Sequence, residues 1–257
     1  KQQVWVLTAP PKAEIVSEGG EKSPTPTSYA TKTVNPIKLQ VTMRFSQEVK
    51  WADEDTQIGV LQDLASNAGI ALGRALDLVG IHKINPLTGT VSNLVKEGLV
   101  DTTQSVTVAG AKYDEAIEAA AGMVISAGYT PSGIAMDPTL SFGLSTMRDT
   151  TGRKIYPELG FGQNLSNFAG MNAAVSDTVS AKNEITTPSK ILGITGQFDA
   201  FRWGVQRSIG AHLIEFGDPD GLGDLQRLNQ IAIRSEIVYG IGIMDSKAFT
   251  KILAASE

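Results

Sequence analysis

Leu39, Val41, Met43 and Phe45 alternate with Lys38, Gln40, Thr42, Arg44 and Ser46. A period of two predicts a strand with one apolar and one wet face. Upstream, Val4, Trp5, Val6 and Leu7, and then Ala13 to Val16 beyond an Ala-Pro-Pro break, are shorter β-prone pieces. Between these arms runs the polar stretch SEGGEKSPTPTSYATKTV, residues 17–34, rich in Ser, Gly, Pro and Thr. The arrangement predicts a long hairpin with a Gly/Pro-rich tip. An isolated hairpin is marginal in water, so its apolar face must lie on something else.

After Trp51 the period changes. Asp53, Glu54 and Asp55 sit where a helix dipole favours negative charge, and Ile58, Leu61, Leu64, Ala65, Ala68, Leu72, Ala75 and Leu76 then recur at helical spacing. The spacing predicts a helix to about Gly80, more than twice the average length of about 11–12 residues and long enough to be a spine. A turn-rich INPLTGTVSNLVKEG and a short strand SVTVAG follow, then an Ala-rich helix from Tyr113 to about Ala127. Gly133–Met136 reads as a buried strand, Leu140–Met147 as a Pro-started helix, and TTGR as a turn. Residues 158–190 are loop-heavy. From Ile191 the chain is strand-like, with GDPDGLGD closing a hairpin, QIAIRSEIVYGIGIM a long strand, and DSKAFTKIL a short final helix. No internal repeat is visible.

Composition narrows the classes. A chain of 257 residues with 42% hydrophobic content can bury one large core or two small ones. Zero cysteines exclude disulfide staples, thiolate zinc sites and Cys nucleophiles. A formal net charge of −5 argues against tight binding to nucleic-acid phosphates, leaving only loose contact with DNA. The apolar runs are broken by Gly or charge before the length of a bilayer span, and no basic-then-apolar leader precedes them, so no membrane partner is expected. Because the first residue is Lys1, the amino terminus reads as processed or incompletely represented.

Catalytic signatures are weak. His82 and His212 are the only histidines, and neither lies in a nucleophile-elbow or HExxH pattern, so both read as packing or surface residues. A hydrolase built on either remains the enzymatic alternative. GFGQNL offers Gly160 and Gly162, but Leu165 stands where a dinucleotide fingerprint needs its third Gly. Asp218, Asp220 and Asp224 in DPDGLGD suggest a calcium loop, yet Leu222 and Asn229 occupy positions that need ligands; Asp, Pro and Gly together are turn chemistry. No cofactor or metal is expected.

The order of parts carries more. EGGEKSP on the flap, MDPTLSFGLSTMRDTTGRKIY in the middle, and the run from Ile191 through SEIVYGIGIMDSKAF resemble the major capsid proteins of tailed bacteriophages. Their Hong-Kong-97-type α+β fold is shared with encapsulin shells. The resemblance covers essentially the whole chain. It implies an N-terminal arm (residues 1–8), an extended β-hairpin loop (9–49), a peripheral domain with the spine helix (50–111), an axial domain (112–203) and closing peripheral strands (204–257). It also implies that the flap lies over a neighbouring copy, and that pentamers and hexamers form an icosahedral shell around double-stranded DNA in the virion, assembled in the host cytoplasm. Portal, scaffold or decoration proteins are partners such a family admits. An encapsulin with protein cargo is the closest rival, and a tail-tube or decoration protein fits poorly because those lack the spine helix.

For inter-subunit contact the expected residues are the strand Leu39, Val41, Met43 and Phe45, the flap tip Glu18 and Lys22, and the basic group Arg148, Arg153 and Lys154 beside the TTGR turn. A solvated loop is the alternative for that basic group. Some family members weld the shell by an isopeptide bond from a loop Lys to a neighbour's Asn, assisted by a Glu. Lys22, Asn229 and Glu236 occupy the matching places in the motifs, which equally suit noncovalent members using them in salt bridges and hydrogen bonds.

Overall fold

In the computed structural model, which describes residues 2–9, 11–25, 27–51, 54–160, 165–185 and 189–255, three helices form close to where periodicity places them. Lys1, Asp53 and Gly162 lie outside the described residues. Helix α1 spans Glu54–His82, α2 Tyr113–Ser126 and α3 Pro138–Thr146. The start of α3 is set by Asp137, whose Oδ1 accepts the Thr139 N–H at 2.7 Å, with Pro138 supplying a preset φ in the first turn.

The strands are β1 (Gln2–Ala9), β2 (Ser28–Val34), β3 (Pro36–Ser46), β4 (Ile84–Asn85), β5 (Thr90–Val91), β6 (Ser105–Thr107), β7 (Gly133–Met136), β8 (Asn167–Phe168), β9 (Met171–Val175), β10 (Ile191–Gly196), β11 (Phe201–Ile214), β12 (Gln230–Ile243) and β13 (Phe249–Leu253). They make a six-stranded sheet in the order β6-β13-β10-β7-β9-β8, a three-stranded sheet β11-β12-β3, the flap pair β1-β2 and a small β4-β5 pair.

Two expectations need correction. The flap's arms are β1 and β2, paired from Gln2↔Val34 to Ala9↔Ser28, while the alternating strand β3 leaves the flap and pairs with β12 from Gln230↔Ser46 to Gly240↔Pro36. The reason is length matching, since β12 offers a long central strand with a free edge along which β3 satisfies its ladder. The final segment is a strand, not a helix: after a 3-10 turn at Ser246–Ala248, β13 pairs with β10 and β6, burying Phe249, Thr250 and Ile252. Aromatic and β-branched residues between two available partners favour the sheet. Strands β6 and β13 lie in the sheet that carries α2 and α3.

One core fills the space between that sheet and its helices, with Ile117, Ala120, Ile134, Met136, Leu140, Leu144 and Ile252 buried. A second, around Ile81, Leu99, Ile194, Ile243 and Phe249, joins it to the closing sheet. Helix α1 is asymmetric. Leu78, Val79, Ile81 and His82 are buried, whereas Leu61 and Ile70 further up are 44% and 60% exposed. By length and composition Gly59–His82 could cross a bilayer, contrary to the broken-run expectation. Its last turns are locked into the protein core, which fits a spine.

Polar bonds tie that spine to the turn and loop between β9 and β10. Arg74 on α1 bonds Asp177 at 2.7 Å and also Glu184, Thr178 donates to Asp77 at 3.3 Å, and Asn183 donates to Asp177 at 2.6 Å. Nothing in the local pattern of either segment announces this link.

Tyr239 on β12 is 1% exposed and its hydroxyl has no hydrogen-bond partner among the described residues. Burial first, and the Asp77 charge second, hold its phenol above the ordinary value. An unsatisfied buried group costs about 1–3 kcal/mol, so Tyr239→Phe should stabilise the subunit by about 1 kcal/mol. In a protein of this size that raises Tm by about 2–4 °C on calorimetry. A fall would show that the hydroxyl has a partner.

Candidate assembly surfaces

The flap rises from the closing sheet at Asn35. Its base is anchored where Val34 packs on Gly240, since a Cβ there would lie 2.6 Å from Val34 Cγ1. Lys32 pairs with Glu97 at 2.9 Å and donates to the Ile243 carbonyl. Beyond the ladder, residues 11–25 carry no strand and are exposed throughout. This tip folds on itself: Gly20 N–H donates to Ser17 O at 2.9 Å around Gly19 at φ 76°, Ser23 N–H to Glu14 at 2.5 Å, and Thr25 Oγ1 to Lys12 O at 2.9 Å. Ile15 is fully exposed at the tip, with Trp5 and Tyr29 exposed on the arms. Glu18 and Lys22 are exposed there as well.

The strand expected to carry the flap's apolar face finds cover inside its own subunit. Ile37 and Leu39 pack on Val79, Val95 and Ile241. With Val41 they line a cleft of about 820 Å³ against Ala71, Leu72 and Ala75 of α1. Met43 and Phe45 are half-buried on the same strand. The alternation gives a half-buried face, and the period alone does not say which surface completes its cover.

Lys22, Asn229 and Glu236 are not brought together within one chain. Asn229 is exposed at φ 54°, just before β12, its carbonyl accepting from Gln47 N–H at 3.0 Å. Glu236 lies seven residues further along that strand, about 23 Å at the usual rise. Its carboxylate meets Lys38 Nζ at 2.6 Å, and that hydrogen bond holds its pKa below the ordinary range.

The basic loop between α3 and β8 is a well-formed turn. Asp149 Oδ1 accepts from Thr151 N–H, Thr151 Oγ1 and Arg153 N–H at 2.7–2.9 Å, and these bonds, Thr151's foremost, keep its carboxyl low. Arg148 bridges to Lys154 through the backbone and donates from Nη1 to Gly152 O at 2.8 Å. Arg148 and Arg153 are exposed and Lys154 is half-buried.

In the DPDGLGD turn, Arg44 stands where a calcium ion would. Its Nε lies 2.8 Å from both Asp220 oxygens and its Nη2 2.9 Å from Asp218, while Asp218 also accepts the Gly221 and Gly223 N–H groups. Among the described residues no group of three His, Cys, Asp or Glu could hold a metal.

His212 is exposed on β11. His82 is buried, its Nε2–H donating to the Val179 carbonyl at 2.9 Å, while the flanking Thr178 and Ser180 hydroxyls donate to Asp77 and to the Asp177 carbonyl. Burial pushes its pKa below the usual 6.5, outweighing the backbone carbonyls and the Glu184 charge that favour the cation. A lowered folded-state value contributes stability that is complete above about pH 6.5 and is lost as pH falls through the folded pKa. Melting temperature should therefore fall from pH 7.5 to pH 5 more steeply in the unsubstituted subunit than in His82→Gln, which keeps a donor without the titration. Equal slopes would remove His82 as the cause.

The sequence profile of the phage capsid family matches residues 1–253. A chain from Mycobacterium phage Ogopogo is 50% identical, aligned over 99% of this chain and 87% of that one, with a TM-score of 0.85. One from Gordonia phage Cozz is 31% identical over 99% of this chain and 81% of that one, also at 0.85. A chain from the capsid of a native GTA particle, at 14% identity and TM-score 0.66 over 99% of this chain and 85% of that one, shares the fold. No match is found among curated protein sequences. A flap left uncovered by its own subunit is what a tile meant for other tiles would show, and with a family match along nearly the whole length this chain belongs to the phage capsid family, as a structural subunit of a phage capsid.

Proposed function

We propose that copies of this chain close into an icosahedral shell of pentamers and hexamers around double-stranded DNA in the virion, assembling in the bacterial cytoplasm. The observation that carries this reading is the flap. Its tip is well formed by its own bonds yet touches no core, and Ile15 is fully exposed on it. Each copy therefore offers a projecting arm to a neighbour, and head-to-tail contacts of that kind close into rings when the rotation allows. Glu18 and Lys22 on the tip and Arg148 and Arg153 on the basic loop supply the polar part of the contact. The net charge of −5 keeps the contact with packaged DNA loose. Portal, scaffold or decoration proteins would join at edges and vertices of this lattice.

Electron microscopy of purified particles tests the reading. Closed shells containing DNA support it; small shells filled with protein would favour an encapsulin; a species of a few subunits at every concentration would exclude any shell.

A second reading rests on Lys22, Asn229 and Glu236 all lying on elements a neighbour can reach. Lys22 Nζ of one copy attacks the Asn229 side-chain carbon of another, a C–N bond forms as ammonia leaves, and Glu236 of a third copy accepts the amine proton, since within one copy it stands about 23 Å from Asn229. Particles boiled in detergent should then run as a ladder of subunit multiples that collapses to one band in Lys22→Ala. A single monomer band from unsubstituted particles removes this bond and leaves the shell reading untouched.

A further inference from the structure

The chain holds a single Asp-Gly pair, Asp220–Gly221, and no Asn-Gly. Aspartate followed by glycine is the pair most prone to rearrange, since glycine has no side chain to hinder attack of its amide nitrogen on the neighbouring carboxyl carbon. Both residues are exposed in the loop between β11 and β12, where water has access. The turn itself demands the glycine, because Gly221 has φ 80°, a left-handed conformation that other residues seldom adopt. The fold therefore places a chemically weak link where it needs a tight turn.

Two contacts hold that link out of reaction. Arg44 reaches across from β3 and sets its Nε 2.8 Å from both Asp220 oxygens, with Nη2 on Asp220 Oδ1 and, at 2.9 Å, on Asp218. The Gly221 N–H, whose nitrogen would be the nucleophile, donates to Asp218 Oδ1 at 2.8 Å. Ring closure needs a neutral carboxyl that can turn its carbon toward that nitrogen and lose one oxygen as water. The hydrogen bond from Arg44, foremost among its influences, holds the Asp220 carboxyl below the ordinary carboxylate range, so it is ionised at neutral pH. A guanidinium gripping both oxygens also fixes their plane. Arg234, the other cation beside the turn, is engaged elsewhere, its Nη2 donating to Pro219 O at 2.6 Å and its Nε to Thr42 Oγ1 at 3.0 Å.

We propose that Asp220–Gly221 is a latent isomerisation site, and that Arg44 and Asp218 keep it silent. Where they release it, the Gly221 nitrogen bonds to Asp220 Cγ, the amide proton and the carboxyl hydroxyl leave together as water, and a succinimide ring forms. Water then opens the ring at either carbonyl. One opening returns aspartate and the other leaves isoaspartate, in which the chain runs through the side-chain carbon. The extra backbone methylene falls between two ties of the turn, Pro219 O to Arg234 and Leu225 N–H to Gly217 O at 2.9 Å. Isomerisation there loosens the approach to β12, the strand to which β3 is paired.

Ageing in heavy-oxygen water tests this. The purified protein and its Arg44→Gln variant are kept in warm neutral buffer, digested and read by mass spectrometry, since each ring opening leaves one heavy oxygen at residue 220. Label and isoaspartate at 220 should build up several-fold faster in Arg44→Gln than in the unsubstituted protein. The unsubstituted protein should in turn lag several-fold behind the free peptide of residues 216–224, a comparison that still decides if Arg44→Gln does not fold. Asp245–Ser246, in a separate turn, is the internal reference: a variant that merely loosens the fold raises both positions, whereas loss of the clamp raises 220 alone. Equal rates at 220 with and without Arg44, a rise at 220 matched by one at 245, or folded protein that rearranges as fast as the peptide would each overturn the assignment.

Discussion

Gly196→Val is expected to leave no stable subunit, and Gly122→Ala to make the subunit more stable. Gly196 ends β10 in the middle of the six-stranded sheet, opposite Phe249 on β13. A Cβ there would collide with the Ala248 carbonyl, and would lie 2.6 Å from Phe249 Cδ1 and 3.0 Å from Phe249 Cα. The first and last of these are backbone, so relief requires β13 to move off β10 and Gln197 N–H to lose its bond to Ala248 O. Overpacking a core typically costs about 1–3 kcal/mol when side chains can adjust. Here a ladder must open, and a loss beyond that range consumes much of the roughly 5–15 kcal/mol that holds a folded protein. Circular dichroism should show a Tm at least about 10 °C lower, or no soluble protein. Gly122 sits inside α2, and a Cβ added to it would meet nothing within 4 Å, so Ala removes only the glycine penalty and should add about 0.5–1 kcal/mol. An unchanged melt for Gly196→Val would mean that β10 and β13 are held less closely than these distances require.

The two outcomes separate what the sequence can announce from what it cannot. Local rules locate α1, α2 and α3 within a few residues, because helical spacing, Asp137 before Pro138 and the Ala-rich run are short-range signals. Gly133–Met136 is legible as a buried strand, and GDPDGLGD as the turn between β11 and β12, for the same reason. Partner choice is long-range, and local rules miss it. Strand β3 reads as a flap arm until β12, nearly two hundred residues later, is seen to take all eleven of its positions. DSKAFTKIL reads as a helix until β6 and β10 flank it. Surface features divide in the same way. Glu18 and Lys22 stand out because the tip is polar and Gly/Pro-rich, whereas Trp5 and Trp203 stand almost two hundred residues apart and share a groove only once the flap is seated on the closing sheet. Arg44 among the aspartates of the turn is another such case: the acidic turn is visible in the sequence, and the cation that neutralises it is not.

Replacing residues 10–27 with Asn-Gly should give a subunit that folds normally and forms no shells. Ala9 and Ser28 already face each other across the β1–β2 ladder, and Asn-Gly is the two-residue turn that such a pair accepts. The removed tip bonds only to itself among the described contacts, through Ser23 to Glu14 and Thr25 to Lys12, so Tm should stay within a degree or so of the full chain. Assembly is another matter. Burying a side chain the size of Ile15 contributes about 1.5–3 kcal/mol, and every copy in a closed shell would make this contact once as giver and once as receiver. Losing about 3 kcal/mol per contact raises the concentration needed to assemble on the order of a hundredfold, at about 1.4 kcal/mol per factor of ten. Sedimentation at concentrations where the full chain forms particles should show only small species. Particles of ordinary size from the shortened chain would mean that the shell is held by the closing sheet, α1 and the basic loop, with the flap a passenger.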